Sequence, residues 1–200
     1  MSSGTDTRRR IVDAARDLIY ARSYSDVGVQ SICGEAGVKK GSFYHFFPSK
    51  RDLTLAVVDE LMATFRAHLG RAFEPDVPPM ARFDRFVRLT YDLQRDLKAA
   101  RGCTLGCPFG NLAVEMSTQD EILRRRLGAV FAELQGFLEQ AVAEAVERGE
   151  MPPVDVKATA QAMFAFIEGV MLLAKTGNDP ELILRLGPAL REIRVAPERP

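Results

Sequence analysis

The 200-residue chain has no tryptophan, only two histidines and three cysteines, and no net charge, with 27 Lys or Arg against 27 Asp or Glu. Each scarcity excludes something. His45 and His68, together with an odd and unpatterned set of cysteines (Cys33, Cys103, Cys107), argue against a metal centre and against a disulfide framework. Free thiols point instead to a reducing, cytoplasmic setting. Zero net charge provides no global field toward nucleic acid or anionic lipid, so any such attraction has to be local. The uncharged apolar stretches fall short of the roughly 18–20 residues a membrane span needs, and no apolar run follows the arginines near the start, so no membrane partner is expected. No Cys-x-x-Cys pair, glycine-rich phosphate loop, Ser/His/Asp set or HExxH helix occurs, which leaves no cofactor to expect. Runs of alternating β-branched residues are missing too, and with them the case for a sheet.

What the chain has is helical periodicity, punctuated by 11 prolines and 15 glycines. Ile11, Ala14, Ala15, Leu18 and Ile19 share one face of a first helix, capped near Thr7. A short helix over residues 29–36 ends at Gly37, a residue suited to a left-handed cap, and another over 39–46 is stopped by Pro48. Ser49 then caps a long helix with Leu53, Val57, Leu61, Phe65 and Leu69 on one side. Further helices are predicted at about 81–100, from 121 to about 149 behind a start box at Ser117-Thr118, and from Asp155 to about Lys175. Between the first two of these, residues 102–110 read as an irregular bend. A last helix has Pro180 in its first turn and ends near Ile193. The tail 195–200 reads as frayed. The fold class is therefore all-α, divided into a small helical unit over 1–50 and a larger one over 51–200.

Position changes the charge picture. Residues 1–51 carry nine Lys or Arg against five Asp or Glu, a surplus of four positive charges that the remainder cancels. A basic small unit on an acidic larger one is the asymmetry expected of a DNA-reading head. Within it, the run Lys39-Lys40-Gly41-Ser42-Phe43-Tyr44-His45-Phe46-Phe47-Pro48-Ser49-Lys50 offers what a major-groove helix needs: small residues for close approach, cations, and an aromatic hydroxyl for phosphate. The plainer alternative is a helical turn with a solvated lysine pair.

The first helix, then Val29-Gln30-Ser31-Ile32-Cys33-Gly34-Glu35-Ala36-Gly37-Val38, then Gly41 to Phe47 and Ser49-Lys50, resemble the TetR family of bacterial repressors over about residues 7–60. The resemblance implies an N-terminal three-helix helix-turn-helix domain, a C-terminal helical ligand-binding and dimerisation domain, and a homodimer on double-stranded operator DNA that is released by an effector. It assigns Lys40, Gly41, Ser42 and His45 to base edges or nearby backbone, Tyr44 and Lys50 to phosphates, and Gln30 to their support, with Phe43, Phe47, Ile32 and Ala36 in the core. The chain departs from the family at Val27-Gly28, where relatives carry a capping Thr or Ser; Asp26 or Ser25 is the expected substitute.

In the body, the stretch from Cys103 through Gly106-Cys107 to Asn111-Leu112-Ala113-Val114-Glu115 is the most distinctive. Cys107, flanked by Gly and Pro, reads either as a small buried residue in a bend or as a thiol activated at a helix start. The pattern is similar to the NemR-like branch of the family, which responds to electrophiles and oxidants. That similarity implies Cys107 and Lys175 as a sensor pair; Cys33 is expected to be structural. Candidate ligand-pocket residues are Phe65, Phe86, Phe109, Met116 and Phe166. Ala160, Ala162, Met163, Ala165, Phe166, Gly169, Val170 and Leu173, with Leu182, Leu184, Leu186 and Leu190, cover more of their helices than a monomer's surface would, and are the expected dimer face. The expected function is a homodimeric repressor released by a small molecule or by thiol modification at Cys107. The alternatives are a small helical thiol enzyme using Cys107, and a helical adaptor that binds only protein.

Overall fold

The structure, a computed structural model, describes residues 4–197, and all regular elements among the described residues are helical. The chain separates into two compact units, one of residues up to Thr64 with Pro108–Gly128, the other of Phe65–Cys107 with the chain from Ala129 onward. This corrects the expected division at residue 50 in two ways. The helix that follows Ser49 is rooted in the first unit by Leu53 and Val57, and residues 108–128 fold with that unit as well.

The N-terminal unit holds α1 (Gly4–Ala21), α2 (Val29–Ala36), α3 (Lys40–Phe46), the first part of α4 (Lys50–Ala72), α6 (Pro108–Met116) and the start of α7 (Glu121–Glu147). Its core gathers Ile11, Ala15, Leu53 and Val57, expected from their spacing, with Ile32, Ala36, Phe43 and Phe47, which the resemblance placed there, and Val27, which was not expected. Full burial of Phe43 alone is worth about 1.5–3 kcal/mol. Helix α1 already includes Gly4, three residues before the expected cap at Thr7. Asp6, in its first turn, lies near the positive end of the helix dipole and pairs with Arg9 and Arg10 at 3.6 and 3.8 Å. Ser49 caps α4 as expected, accepting from the Asp52 N–H at 3.2 Å and donating its hydroxyl to the Asp52 carboxylate at 2.6 Å. The start of α7 is set by Asp120, which accepts from the N–H groups of Ile122 and Leu123 at 2.9 and 3.0 Å; Ser117 and Thr118 remain outside the helix.

The C-terminal unit is built from α5 (Pro79–Arg101), most of α7, α8 (Val156–Gly177) and α9 (Glu181–Leu186), followed by a 3₁₀ segment Gly187–Glu192. Asp155 caps α8 as predicted, accepting from the Ala158 N–H at 2.9 Å. The single last helix expected up to Ile193 is broken instead. Pro188 has no N–H to continue an α-helix, and Gly187 lies so close to Val87 of α5 that a Cβ there would collide with it. By length and composition α8 is apolar enough to cross a membrane, which its scattered charges concealed in the sequence. One side of it, Ala160, Met163, Ile167, Val170 and Ala174, lies in the core of this unit. The tail is anchored at Val195, whose N–H donates to the Thr159 hydroxyl at 3.0 Å and whose carbonyl accepts from the Asp155 N–H at 2.9 Å. The rest of the expected fraying, at 198–200, lies outside the described residues.

Candidate functional site

Helices α2 and α3 are joined by a turn that depends on Gly37. Its φ of 62° and ψ of 41° are left-handed, and the turn closes through Val38 N–H to Cys33 carbonyl at 3.0 Å and Gly37 N–H to Gly34 carbonyl at 3.2 Å. Beyond the turn, α3 is only seven residues long and is held by Phe43, fully buried, with Phe47 beside it at 6.2 Å between ring centres. Anchoring one side of so short a helix leaves the other outside. Lys39, Lys40, Gly41, Tyr44 and His45 are exposed, Tyr44 by 54%, and Gln30 is exposed in the first turn of α2. Ser42 is half-buried, with its N–H donating to the Lys39 carbonyl. A Cβ added to Gly41 would meet nothing within 4 Å. Inside this chain, therefore, nothing demands a glycine there.

The bend in front of α2 corrects the expected cap. Gly28 is the N-cap and no side chain accepts from the first turn, so neither Asp26 nor Ser25 serves as the substitute cap. The bend is held from farther away: Glu115 of α6 accepts from the N–H groups of Tyr24 and Ser25 at 2.8 and 2.7 Å. Lys50 was expected on a phosphate. Its ammonium is turned inward, donating to the carbonyls of Tyr24 and Val27 at 2.9 and 3.1 Å and lying 4.0 Å from the centre of the Tyr24 ring. Burial pushes the Lys50 pKa down, and Glu115 opposes that shift. For Glu115, burial acts upward, but hydrogen bonds from Ser25 and Tyr24 and the charge of Lys50 outweigh it and hold the carboxyl below its ordinary value.

In the C-terminal unit, Cys107 directly precedes α6 in the chain and is 7% exposed. Its thiol donates to the carboxylate of Glu168, whose pKa is raised by burial and only partly restored by that bond. The partner so identified is an acceptor for the thiol proton, whereas the sequence pointed to a cation. Lys175 is exposed seven residues farther along α8, on the same side of the helix as Glu168 and about 10 Å along its axis. Glu168 had a sequence signal that went unused: it is the one charge between Lys157 and Lys175. The strand of chain before Cys107 is clamped by two amide side chains, also missed. Gln94, buried in α5, accepts from the N–H groups of Leu105 and Gly106 at 3.1 and 2.9 Å and donates to the Gly106 carbonyl at 2.9 Å. Asn178, left-handed at the end of α8, accepts from the Thr104 N–H at 2.9 Å. Cys33 is buried, as expected, and burial raises its pKa, opposed by Lys40; Cys103 is exposed.

The proposed pocket residues are divided between the units. Phe65, Phe86 and Phe166, all half-buried, belong to the C-terminal unit, while the buried Phe109 and Met116 are on α6 in the N-terminal one. The expected dimer face is divided as well. Ala160, Met163, Val170 and Leu190 are buried within their own unit; Ala165, Gly169, Leu173 and Leu186 are exposed, Leu173 by 54%, and beside them Leu172, which was not among the expected residues, is exposed by 61%. Residues 165, 169, 172, 173 and 176 are helical neighbours, so the exposed groups form one stripe along α8.

Two family models match this chain: bacterial regulatory proteins of the tetR family over residues 11–57, and the tetracyclin repressor-like C-terminal domain over residues 79–190. The transcriptional regulator AcuR of Cereibacter sphaeroides is 33% identical over 173 residues, covering 86% of this chain and 77% of that protein. A crystal structure of a regulatory protein TetR from Rhodobacter sphaeroides superposes with a TM-score of 0.81 at 31% identity, covering 94% of this chain and 98% of that one. The reduced form of Escherichia coli NemR shares the fold, with a TM-score of 0.77 at 22% identity over 96% of this chain and 100% of that one.

Proposed function

Because this chain belongs to the TetR family of DNA-binding transcriptional regulators, and so is a regulator and not an enzyme, we propose that it is a homodimeric, cytoplasmic repressor of a palindromic operator. Each copy reads one half-site with the outer face of α3. Lys40, Gly41, Ser42 and His45 meet base edges or adjacent backbone, Tyr44 meets a phosphate, and Gln30 supports them from α2. The two copies join along the apolar stripe of α8 and α9, which sets the spacing of the heads on successive major grooves, about 34–36 Å apart.

The single observation that carries this reading is the open space around Gly41. Gly41 stands in the first turn of α3 on its exposed side, and the chain leaves the space beyond it open, so a DNA surface can approach the backbone there and a methyl group would stand in its way. Gly41→Ala tests this directly. The variant should unfold at the same or a higher temperature, yet bind the palindrome upstream of its coding region about tenfold more weakly, a change of about 1.4 kcal/mol. Wild-type affinity in the variant would remove Gly41 from the DNA surface.

Release is by a small effector lodged in the C-terminal unit, with Phe65, Phe86 and Phe166 as walls near Cys107, Glu168 and Lys175. Thiol modification at Cys107 is the second route, and the burial of that thiol against Glu168 favours the noncovalent one. N-ethylmaleimide separates them: covalent sensing requires that it release wild type from the operator and fail to release Cys107→Ser.

A further inference from the structure

We propose that Glu115 is a positioning residue for DNA reading: its carboxylate holds the bend at residues 23–26 in the arrangement from which α2 and α3 present their outer faces to an operator. The proposal rests on the reading of the chain as an operator-binding repressor, and it adds a residue that touches no DNA.

Glu115 is in the last turn of α6, where the carbonyl end of the helix disfavours negative charge. A carboxylate so placed calls for partners outside its own helix, and it has them on the peptide N–H groups of Tyr24 and Ser25. Lys50 takes the carbonyl of the same Tyr24, so this residue's backbone is held through both its donor and its acceptor. Helix α2 cannot set its own beginning, since Gly28 offers no side chain to cap it. The start of α2 is therefore fixed by the bend before it; the bend closes on itself through the Asp26 N–H on the Ser23 hydroxyl at 3.1 Å, and Glu115 and Lys50 tie it to the rest of the unit. From α2 the constraint passes to α3, because Ile32, Ala36 and Phe43 share one core. The base of the lever is itself tied down: beyond α6, Asp120 pairs with Arg51 at 3.5 Å and Arg126 with Asp59 at 2.7 Å, both on α4. Bonds between backbone N–H and an ionised group are among the stronger kinds, so loss of two of them is enough to shift a short bend.

The test compares full-length wild type with Glu115→Gln, Glu115→Asp and Glu115→Ala. Affinity is measured for the palindromic duplex and for a scrambled duplex at several salt concentrations, and amide exchange is followed by NMR without DNA. Asp keeps the charge but is one methylene too short; Gln keeps the reach and one acceptor. Ala and Asp should lose about 10- to 100-fold in affinity for the palindrome, and Gln less. Scrambled-duplex affinity and its salt slope should stay within about twofold, since no phosphate contact is removed. Exchange at Tyr24 and Ser25 should accelerate by about tenfold or more in Ala and Asp, with α1 amides at Ile11–Ala15 unchanged. Wild-type palindrome affinity in Glu115→Ala overturns the proposal. So does an equal loss on both duplexes, which would report general unfolding, or an Asp variant that binds like wild type, which would report charge alone. If wild type itself binds no palindrome, the repressor reading fails, while the exchange measurement still decides whether Glu115 holds the bend.

Discussion

The two units expose opposite chemistry at the surfaces that matter. Helix α3 keeps Phe43 inside and turns Lys40, Tyr44 and His45 out, whereas α8 keeps its own apolar side inside and still leaves Leu172 and Leu173 outside. A charged and hydrogen-bonding face is well solvated while it waits and exchanges water for a hydrated polyanion. An apolar stripe is poorly solvated until a second apolar surface covers it. Two half-buried carboxyls differ in the same sense. Glu115, in the N-terminal unit, is held in its ionised form chiefly by hydrogen bonds from Ser25 and Tyr24; Glu168, in the C-terminal unit, is pushed toward its protonated form by burial, which the hydrogen bond from the Cys107 thiol only partly opposes.

The largest effect that could break this contrast is expected at the stripe. Leu173→Arg would bury an unpaired cation twice in a symmetric dimer, and each such burial costs about 3–5 kcal/mol. Sedimentation should show monomers, with a dissociation constant raised by a factor of about 10,000 or more. An intact dimer would place the interface off this side of α8 and leave the apolar stripe without a partner.

A smaller effect is expected inside the C-terminal unit, at Arg82. This side chain is 1% exposed, donates to the carbonyls of Val77 and Pro75 at 2.8 and 3.1 Å, and pairs with Glu144 at 2.7 Å. Glu144 keeps access to water, so the main loss in Arg82→Ala is of the two carbonyl partners and the packing. Urea unfolding should report about 2–4 kcal/mol less stability, with amide protection in α1–α3 unchanged. Equal loss of protection in both units would show that they do not respond separately.

The smallest effect is on pH dependence, and it has opposite signs in the two units. The Glu115 pKa is depressed on folding, so its contribution is present above the unfolded value of about 4.3 and is lost as pH falls through the folded value. The Glu168 pKa is raised, so its contribution is complete below the unfolded value and is lost as pH rises through the folded one. Glu168→Gln should therefore raise stability at pH 7.5 relative to wild type, with the gain vanishing below about pH 4.3, while Glu115→Gln should flatten the acid side of the profile. Parallel profiles for the two variants would remove the distinction between the carboxyls.

The sequence by itself determined what is set within a turn or two of chain: apolar periodicity made the helices, Gly37 made the left-handed turn, and Ser49 and Asp155 made their caps. The outer face of α3 was legible for the same reason, because burying Phe43 on one side dictates what faces out. Tertiary structure alone decided where distant groups meet. Glu115 and the Tyr24 N–H are 91 residues apart. Lys50 turns inward because the bend supplies carbonyls within its reach, and Cys107 meets Glu168 across 61 positions of chain. Periodicity reports which side of a helix is buried but not which helix buries it. The partners of a polar group are fixed only when packing brings separate segments within hydrogen-bond distance.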